Sequence, residues 1–170
     1  MLDTTRPGGW GTSAEPIPAP LALHGLAVPP EWVDYNGHMG EAYYLLAIGE
    51  SSDAFFRYIG INEAYRAAGS SLYTVETHMR HLDEAVLGDR MDGTLRVLGV
   101  DSKRVHIVHE LSHGTTVLAT CEQMLLHVDM TAGRSSAMPD ELYQRLVAIV
   151  SVHAVLPVPD WVGRSIAIPR

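Results

Sequence analysis

The sequence predicts an α+β domain in which an antiparallel sheet wraps one long helix. Residues 40–58 read as a single helix whose apolar residues (Tyr44, Leu45, Ile48, Phe55, Phe56, with Ile59 beyond) cover more than one stripe, the pattern of a helix buried on most sides. From residue 71 the period changes to that of strands, in four long segments rich in Val, Thr, Leu and His. The breaks between them, at Leu87-Gly88-Asp89, Asp101-Ser102-Lys103 and Ser112-His113-Gly114, are short enough for hairpin-like connections.

Taken in order, residues 1–22 are rich in Pro, Gly, Ser and Thr without periodicity, and are expected to form a flexible arm. A domain over residues 23–155 follows. It opens with a strand over His24–Val28 that Pro29-Pro30 halts. Gly60 is the expected stop of the long helix, which would measure roughly 30 Å at 1.5 Å per residue. A helical turn over Asn62–Ala68 ends at Gly69. Strands are expected over Ser71–Glu84, Arg90–Val100, Arg104–Ser112 and Thr116–Asp129, then a second helix over Pro139–Val150. Residues 156–170, with Pro157, Pro159 and Pro169, should form an extended surface tail. A strongly twisted sheet curled around a central helix is the hotdog fold.

Composition narrows the partners. A chain of 170 residues fits one domain. The formal charge of −8, without a Lys/Arg cluster, argues against general nucleic-acid binding. No apolar run approaches the roughly 18 to 20 residues of a membrane span, and no secretory signal is evident. The single cysteine, Cys121, excludes an internal disulfide and suits a reducing cytoplasm. No Gly-rich phosphate loop follows a strand, since Gly8-Gly9-Trp10-Gly11 falls in the arm.

The richest chemistry precedes the long helix, in Asp34-Tyr35-Asn36-Gly37-His38-Met39. A helix start offers unpaired N–H groups and partial positive charge. Donors at Gly37 to Glu41 would polarise a thioester carbonyl and hold the oxyanion formed on attack. Gly37 and Gly40 let substrate approach the backbone closely. Asp34 would serve as nucleophile or as general base for water, with Asn36 and His38 orienting the water or the carbonyl. A plainer alternative stands beside this one: Asp34 or Asn36 simply caps the helix. The Asp-x-Asn-Gly string lacks the later ligands and closing Glu of a calcium loop.

Val33-Asp34-Tyr35-Asn36-Gly37-His38-Met39 followed by Tyr43-Tyr44-Leu45 resembles the acyl-CoA thioesterases of the 4-hydroxybenzoyl-CoA thioesterase type, as does the strand Tyr73–Leu82 with its Leu87-Gly88-Asp89 turn. A closer likeness, to the betainyl-CoA thioesterases of bacterial carnitine breakdown, is carried by Glu31–Met39, Tyr58-Ile59-Gly60, Tyr73–His78, Arg80-His81-Leu82-Asp83-Glu84 and Glu122–Asp129. The resemblance implies a hotdog hydrolase that needs no cofactor. It puts Asp34 where the family has its catalytic carboxylate, and Glu41 where a backbone N–H polarises the carbonyl. Two departures stand out. Many relatives have Asn-Asn where this chain has Gly40-Glu41, and the helix acid that some relatives use aligns near Gly49, one residue from Glu50.

The remaining candidates rest on spacing. Alternation puts Tyr73, Val75, Thr77 and Met79 toward the helix and Leu72, Thr74, Glu76, His78 and Arg80 on the other face, so Glu76 and His78 would approach a dimer-related site or solvent. Glu50 and Asp53 share a helix face, to pair with Arg57 or another base or to meet a cationic substrate group. His78 and His81, like His106 and His109, are three apart on strands and face opposite sides, so no metal site is expected. Trp32, Tyr35, Tyr43, Tyr44, Phe55 and Tyr73 could cage a trimethylammonium group, or belong to the core. Lys103 and Arg104 could meet CoA phosphates, or form a solvated hairpin tip.

The expected function is hydrolysis of a small acyl-CoA, betainyl-CoA first, in a homodimer or a dimer of dimers, because pairing two sheets closes their open edges. The rivals are a thioesterase for another small or aromatic acyl-CoA, a non-catalytic acyl-binding hotdog protein and, more weakly, a dehydratase.

Overall fold

The computed structural model of the protein describes residues 16–168. Residues 1–15, most of the expected arm, lie outside the described residues, as do Pro169 and Arg170. The elements are β1 (Leu21–Ala27), a short 3-10 turn (Pro30–Trp32), α1 (Glu41–Ile59), α2 (Glu63–Ala67), β2 (Ser70–His81), β3 (Arg90–Val100), β4 (Arg104–His113), β5 (Thr116–Asp129), β6 (Arg134–Ser135) and α3 (Asp140–His153). β1 begins ahead of the expected start at His24, because Leu21 is fully buried in the core.

The sheet is antiparallel and α1 lies on its inner face, the hotdog arrangement. The strand order is β1-β3-β4-β5-β2, with β6 added to β5. One sequence expectation fails here: residues 82–89 are not a hairpin. β2 pairs with β5, from Ser70↔Asp129 to His81↔Ala119, and the chain then crosses the end of the sheet to begin β3 on its far side. Leu82 N and Asp83 N both donate to the Leu118 carbonyl as the crossing starts (2.8 and 3.1 Å).

A second correction concerns which side chains of β2 face inward. The pairing with β5 shifts between Thr74 and Glu76, a β-bulge at Val75. Leu72 is therefore buried, while Tyr73 and Val75 are half exposed instead of facing the helix. Beyond the bulge Thr77 and Met79 do face inward: Thr77 Oγ1 accepts from Gln123 Nε2 at 3.5 Å, and Met79 packs on a core cluster that includes Cys121. Glu76 and His78 stay on the outer face.

Two apolar clusters lie along α1. Phe55 and Ile59 pack with Leu95, Val105, Ile107 and Leu125, and with Leu142, Leu146 and Ile149 of α3. Tyr44, Ala47 and Ile48 pack with Met39, Ala85, Met91, Leu111 and Leu118. Between them runs a buried polar layer. Ser52 Oγ donates to Gln123 Oε1 and lies the same 3.3 Å from His109 Nε2. Burial holds the His109 imidazole down at about 4, so it is neutral.

α1 is less enclosed than its composition predicts. Leu45 and Leu46 are each 47% exposed, and Glu50 and Asp53 are also open, because the sheet covers only one side of the helix. Gly60 ends α1 in the left-handed conformation (φ 95°), as expected. Where β1 has run out, the Val97 N–H of β3 is taken by His153 Nδ1 (2.9 Å) and His153 Nε2 donates to the Pro18 carbonyl (3.0 Å). The C-terminal tail is also more anchored than a surface extension. Arg96 donates to the carbonyls of Leu156 and Pro157, Trp161 is buried, and Gly163 N donates to Glu122 Oε2 at 2.8 Å.

Candidate active site

The loop before α1 is folded by its own polar residues. Gly37 N donates to the Asp34 carbonyl (3.0 Å) and Asn36 N to Asp34 Oδ1 (2.7 Å), which makes a tight turn with Gly37 at φ +84°. Asp34 N donates to the His38 carbonyl at 2.9 Å, closing a small ribbon in which Val33 faces Met39. Asp34 and Asn36 are both exposed.

Neither residue caps α1. The N-cap is Gly40, in extended conformation and with no side-chain cap. Gly40 N is occupied by the Trp32 carbonyl (2.8 Å) and Tyr43 N by the Gly40 carbonyl (3.0 Å). Among the described residues no side chain reaches the N–H groups of Glu41 and Ala42, so the helix start presents free donors beside the Asp34 turn. Those donors, and the positive end of a 19-residue helix, suit a carbonyl oxygen that becomes negative on attack.

Aromatic residues flank this opening. Trp32 and Tyr43 stack with ring centroids 5.2 Å apart and planes 13° from parallel, next to Gly40. Tyr35 stands 95% exposed at the tip of the turn. Two members of the expected cage belong elsewhere. Phe55 is fully buried in the core, and Tyr44 is 4% exposed with its hydroxyl accepting Ala85 N at 3.0 Å and donating to the Asp83 carbonyl at 3.4 Å. Burial raises the Tyr44 phenol, and its ring meets His81 edge-on at 5.0 Å. Tyr44 is thus a brace for the crossover, not a lining residue.

That crossover forms the second wall. Met39 N donates to the Ala85 carbonyl (2.7 Å), His38 pairs with Val86, and His38 Nε2 lies 3.2 Å from Glu84 Oε2. Sequence reasoning missed Glu84 as a site residue. The one available signal was its place in the Arg80–Glu84 run.

Other candidates fall outside this cluster. Glu76 and His78 line an outer-face hollow with His106, Glu122, Gly163 and Arg164, in which His106 Nε2 lies 2.8 Å from Glu122 Oε1. Tyr73 shares that face. Asp53 has no ion-pair partner among the described residues, whereas Glu50 lies 3.1 Å from His24 Nε2 rather than beside Arg57. Lys103 and Arg104 sit at the far end of the sheet, near the Phe55 cluster. There Asp101 binds the Arg104 guanidinium at 2.6–2.8 Å, which holds the Asp101 carboxyl down at about 2. They do not approach Asp34 in this chain.

Two further groups can be set aside. Cys121 is buried, and burial with the Glu122 charge pushes its thiol up to about 12, so it is no nucleophile near neutrality. Among the described residues no group of three or more His, Cys, Asp or Glu side chains could hold a metal ion, and no helix is long and apolar enough to cross a membrane.

Known proteins share this architecture. A putative thioesterase from Pseudomonas putida superposes with a TM-score of 0.78 at 34% identity, covering 91% of this chain and all of that one. A Staphylococcus aureus hypothetical protein solved in complex with CoA superposes with a TM-score of 0.83 at 28% identity, covering 92% of this chain. The betainyl-CoA thioesterase of Pseudomonas aeruginosa is 42% identical over 152 residues, 88% of this chain and 96% of that protein. The L-carnitine dehydrogenase/betainyl-CoA thioesterase of Rhizobium meliloti is 45% identical over 96% of this chain, which spans only 33% of that longer relative. Matched over residues 28–146, from the end of β1 into α3, the chain belongs to the thioesterase-like superfamily.

Proposed function

We propose that the protein hydrolyses a small acyl-CoA, betainyl-CoA foremost, to the free acid and CoA. The observation that carries this reading is the likeness to the Pseudomonas aeruginosa betainyl-CoA thioesterase over 96% of that protein's length. The free donors at the start of α1 beside an exposed carboxylate support the chemistry. The thioester oxygen accepts from the Glu41 N–H, and Asp34 either attacks the carbonyl carbon or takes a proton from the water that does. Asn36 and His38 orient the water. The stacked Trp32–Tyr43 pair offers π faces to the trimethylammonium group.

A homodimer, or a dimer of such dimers, completes the proposal. Among the described residues β2 is the last strand of the sheet and its outer edge is unpaired, and Tyr73 and Val75 stand half exposed there. A partner docked on that edge would bring Glu76, His78 and the open side of α1, with Asp53, toward a shared site, and Lys103 or Arg104 toward CoA phosphates. A cytoplasmic location fits a CoA substrate and an unpaired, buried Cys121.

One observation favours a different small acyl group: with Tyr44 and Phe55 in the core and Tyr73 on the outer face of the sheet, the cage is reduced to Trp32, Tyr43 and Tyr35. Thiol release measured on a panel of acyl-CoAs separates the readings. Equal rates with betainyl-CoA and neutral acyl-CoAs would remove the betaine assignment. No release from any of them would leave only an acyl-binding role. A single turnover in heavy-oxygen water labels Asp34 if it is the nucleophile and leaves it unlabelled if it is the base.

A further inference from the structure

The crossover between β2 and β3 is built more carefully than a connector needs. Glu84 N donates to Asp83 Oδ1 (2.8 Å), Ala85 N to the Tyr44 hydroxyl (3.0 Å) and Val86 N to Asp89 Oδ2 (3.0 Å), while the Ala85 carbonyl accepts Met39 N (2.7 Å). Every backbone N–H from 84 to 86 is thus held by a side chain, and Ala85 is fully buried. The result of this fixation is to hold Glu84 against His38, Oε2 to Nε2 at 3.2 Å, on the ribbon that carries Asp34.

We propose that Glu84 is a positioning residue for the thioesterase reaction, orienting the His38 ring so that its Nδ1 faces the reacting groups. The pair is too exposed to matter for stability, at 39% and 69% side-chain exposure, since solvent screens such contacts. What it fixes is direction. With Nε2 turned to Glu84, Nδ1 is the ring nitrogen left open, and no described residue bonds it.

The proton balance is simple. As water oxygen bonds to the thioester carbon, one water proton passes to Asp34. Asp34 hands that proton to His38 Nδ1, the nitrogen left bare when Nε2–H faces Glu84, and as the carbon–sulfur bond breaks Nδ1 passes it to the CoA sulfur. Both groups are then restored, and the net change is thioester plus water to acid plus thiol. If Asp34 attacks instead, CoA leaves as the thiolate, and His38 Nδ1 takes the proton of the water that cleaves the anhydride and passes it to that sulfur. Glu84 orients the ring on either route.

This rests on the Asp34 loop being the active site, so the experiment tests both separately. Thiol release from betainyl-CoA is measured for the full chain and for Glu84→Ala, Glu84→Gln, His38→Ala, the double variant His38→Ala/Glu84→Ala, and Asp34→Asn. Glu84→Ala is expected to lower kcat about 10- to 100-fold, part of what general acid–base groups contribute. KM should stay within about twofold, and Glu84→Gln, which keeps an acceptor near Nε2, should recover most of the rate. In the His38→Ala background Glu84→Ala should cost nothing further, because its effect passes through the ring.

A wild-type kcat in both Glu84 variants, or an equal loss with and without His38, overturns the proposal. If Glu84→Ala fails to fold by circular dichroism, Glu84→Leu, which keeps side-chain bulk but has no acceptor for Nε2, decides through the imidazole nitrogen NMR signals of His38. Those should lose the fixed Nε2–H tautomer, and signals unchanged from wild type with an unchanged rate overturn the assignment. An inactive Asp34→Asn beside wild-type Glu84 variants removes Glu84 alone. A fully active Asp34→Asn removes the site reading itself.

Discussion

The hydroxyl of Tyr44, in the first turn of α1, lies 3.0 Å from the backbone nitrogen of Ala85, and this one contact ties the helix to the crossover that walls the site. Tyr44→Phe keeps the ring and its edge-on contact with His81 but leaves a buried N–H without a partner. The expected cost is about 1–3 kcal/mol, read as a Tm fall of roughly 2–4 °C per kcal/mol. Thiol release should fall severalfold as well, because Glu84 and His38 lose a shared support. A variant with wild-type Tm would mean that Ala85 N finds another acceptor.

The neutral imidazole of His109 predicts acid sensitivity. Its folded value, about 4, lies below the ordinary 6.5, so the unfolded chain takes up the proton first as pH falls. Stability is full above about pH 6.5, declines toward pH 4 and levels below it, a loss of about 3 kcal/mol at 1.36 kcal/mol per unit. His153 is shifted downward as well, chiefly by burial, and adds loss of the same sign. Urea unfolding at pH 7 and at pH 4.5 should therefore differ, and His109→Gln should shrink the difference. An undiminished difference in that variant would assign the effect elsewhere.

Charge recognition by the Trp32–Tyr43 pair can be isolated from shape. tert-Butylacetyl-CoA matches betainyl-CoA in outline but carries carbon in place of the quaternary nitrogen. Trp32→Ala should raise KM for betainyl-CoA about 2- to 30-fold relative to the neutral substrate, the range of a cation–π contact. Lost packing affects both substrates alike, so their ratio reports the charge. An unchanged ratio places the ammonium group elsewhere.

Gly60→Ala should destabilise the protein by about 1–2 kcal/mol or more. The position has φ 95°, and a Cβ there meets the Arg145 guanidinium, which donates to the Ile59 carbonyl at the end of α1. The change would appear in thermal unfolding, with thiol release at low temperature untouched, because Gly60 lies at the opposite end of α1 from Asp34.

Much of the molecule could be read in advance because its signals are local. β3 and β5 have the bounds that their composition predicts, and α1 is displaced by a single residue at each end. The Asp34 loop was legible because turn formers and a carboxylate precede an apolar helix. Sheet order was not, since the 82–89 segment is short and turn-like whether it closes a hairpin or crosses the sheet, and only the partner of β2 decides. Glu84 was hidden for the same reason: its role depends on where the crossover lands. That Asp34 does not cap α1 also needed coordinates, because capping and catalysis would use the same residues at the same spacing.

The irregularity at Val75 makes β2 a strand with two phases, since the residues before and after it obey opposite parity. Leu72 and Thr74 point inward on even numbers, Thr77 and Met79 on odd ones. Removing Val75 is therefore milder than its place in mid-strand suggests, because no residue of β5 stands opposite it. A one-residue deletion there would make Thr74↔Leu125 and Glu76↔Met124 consecutive pairs of one regular strand, in which Leu72 still points inward, Thr77 still meets Gln123 and Glu76 stays outside.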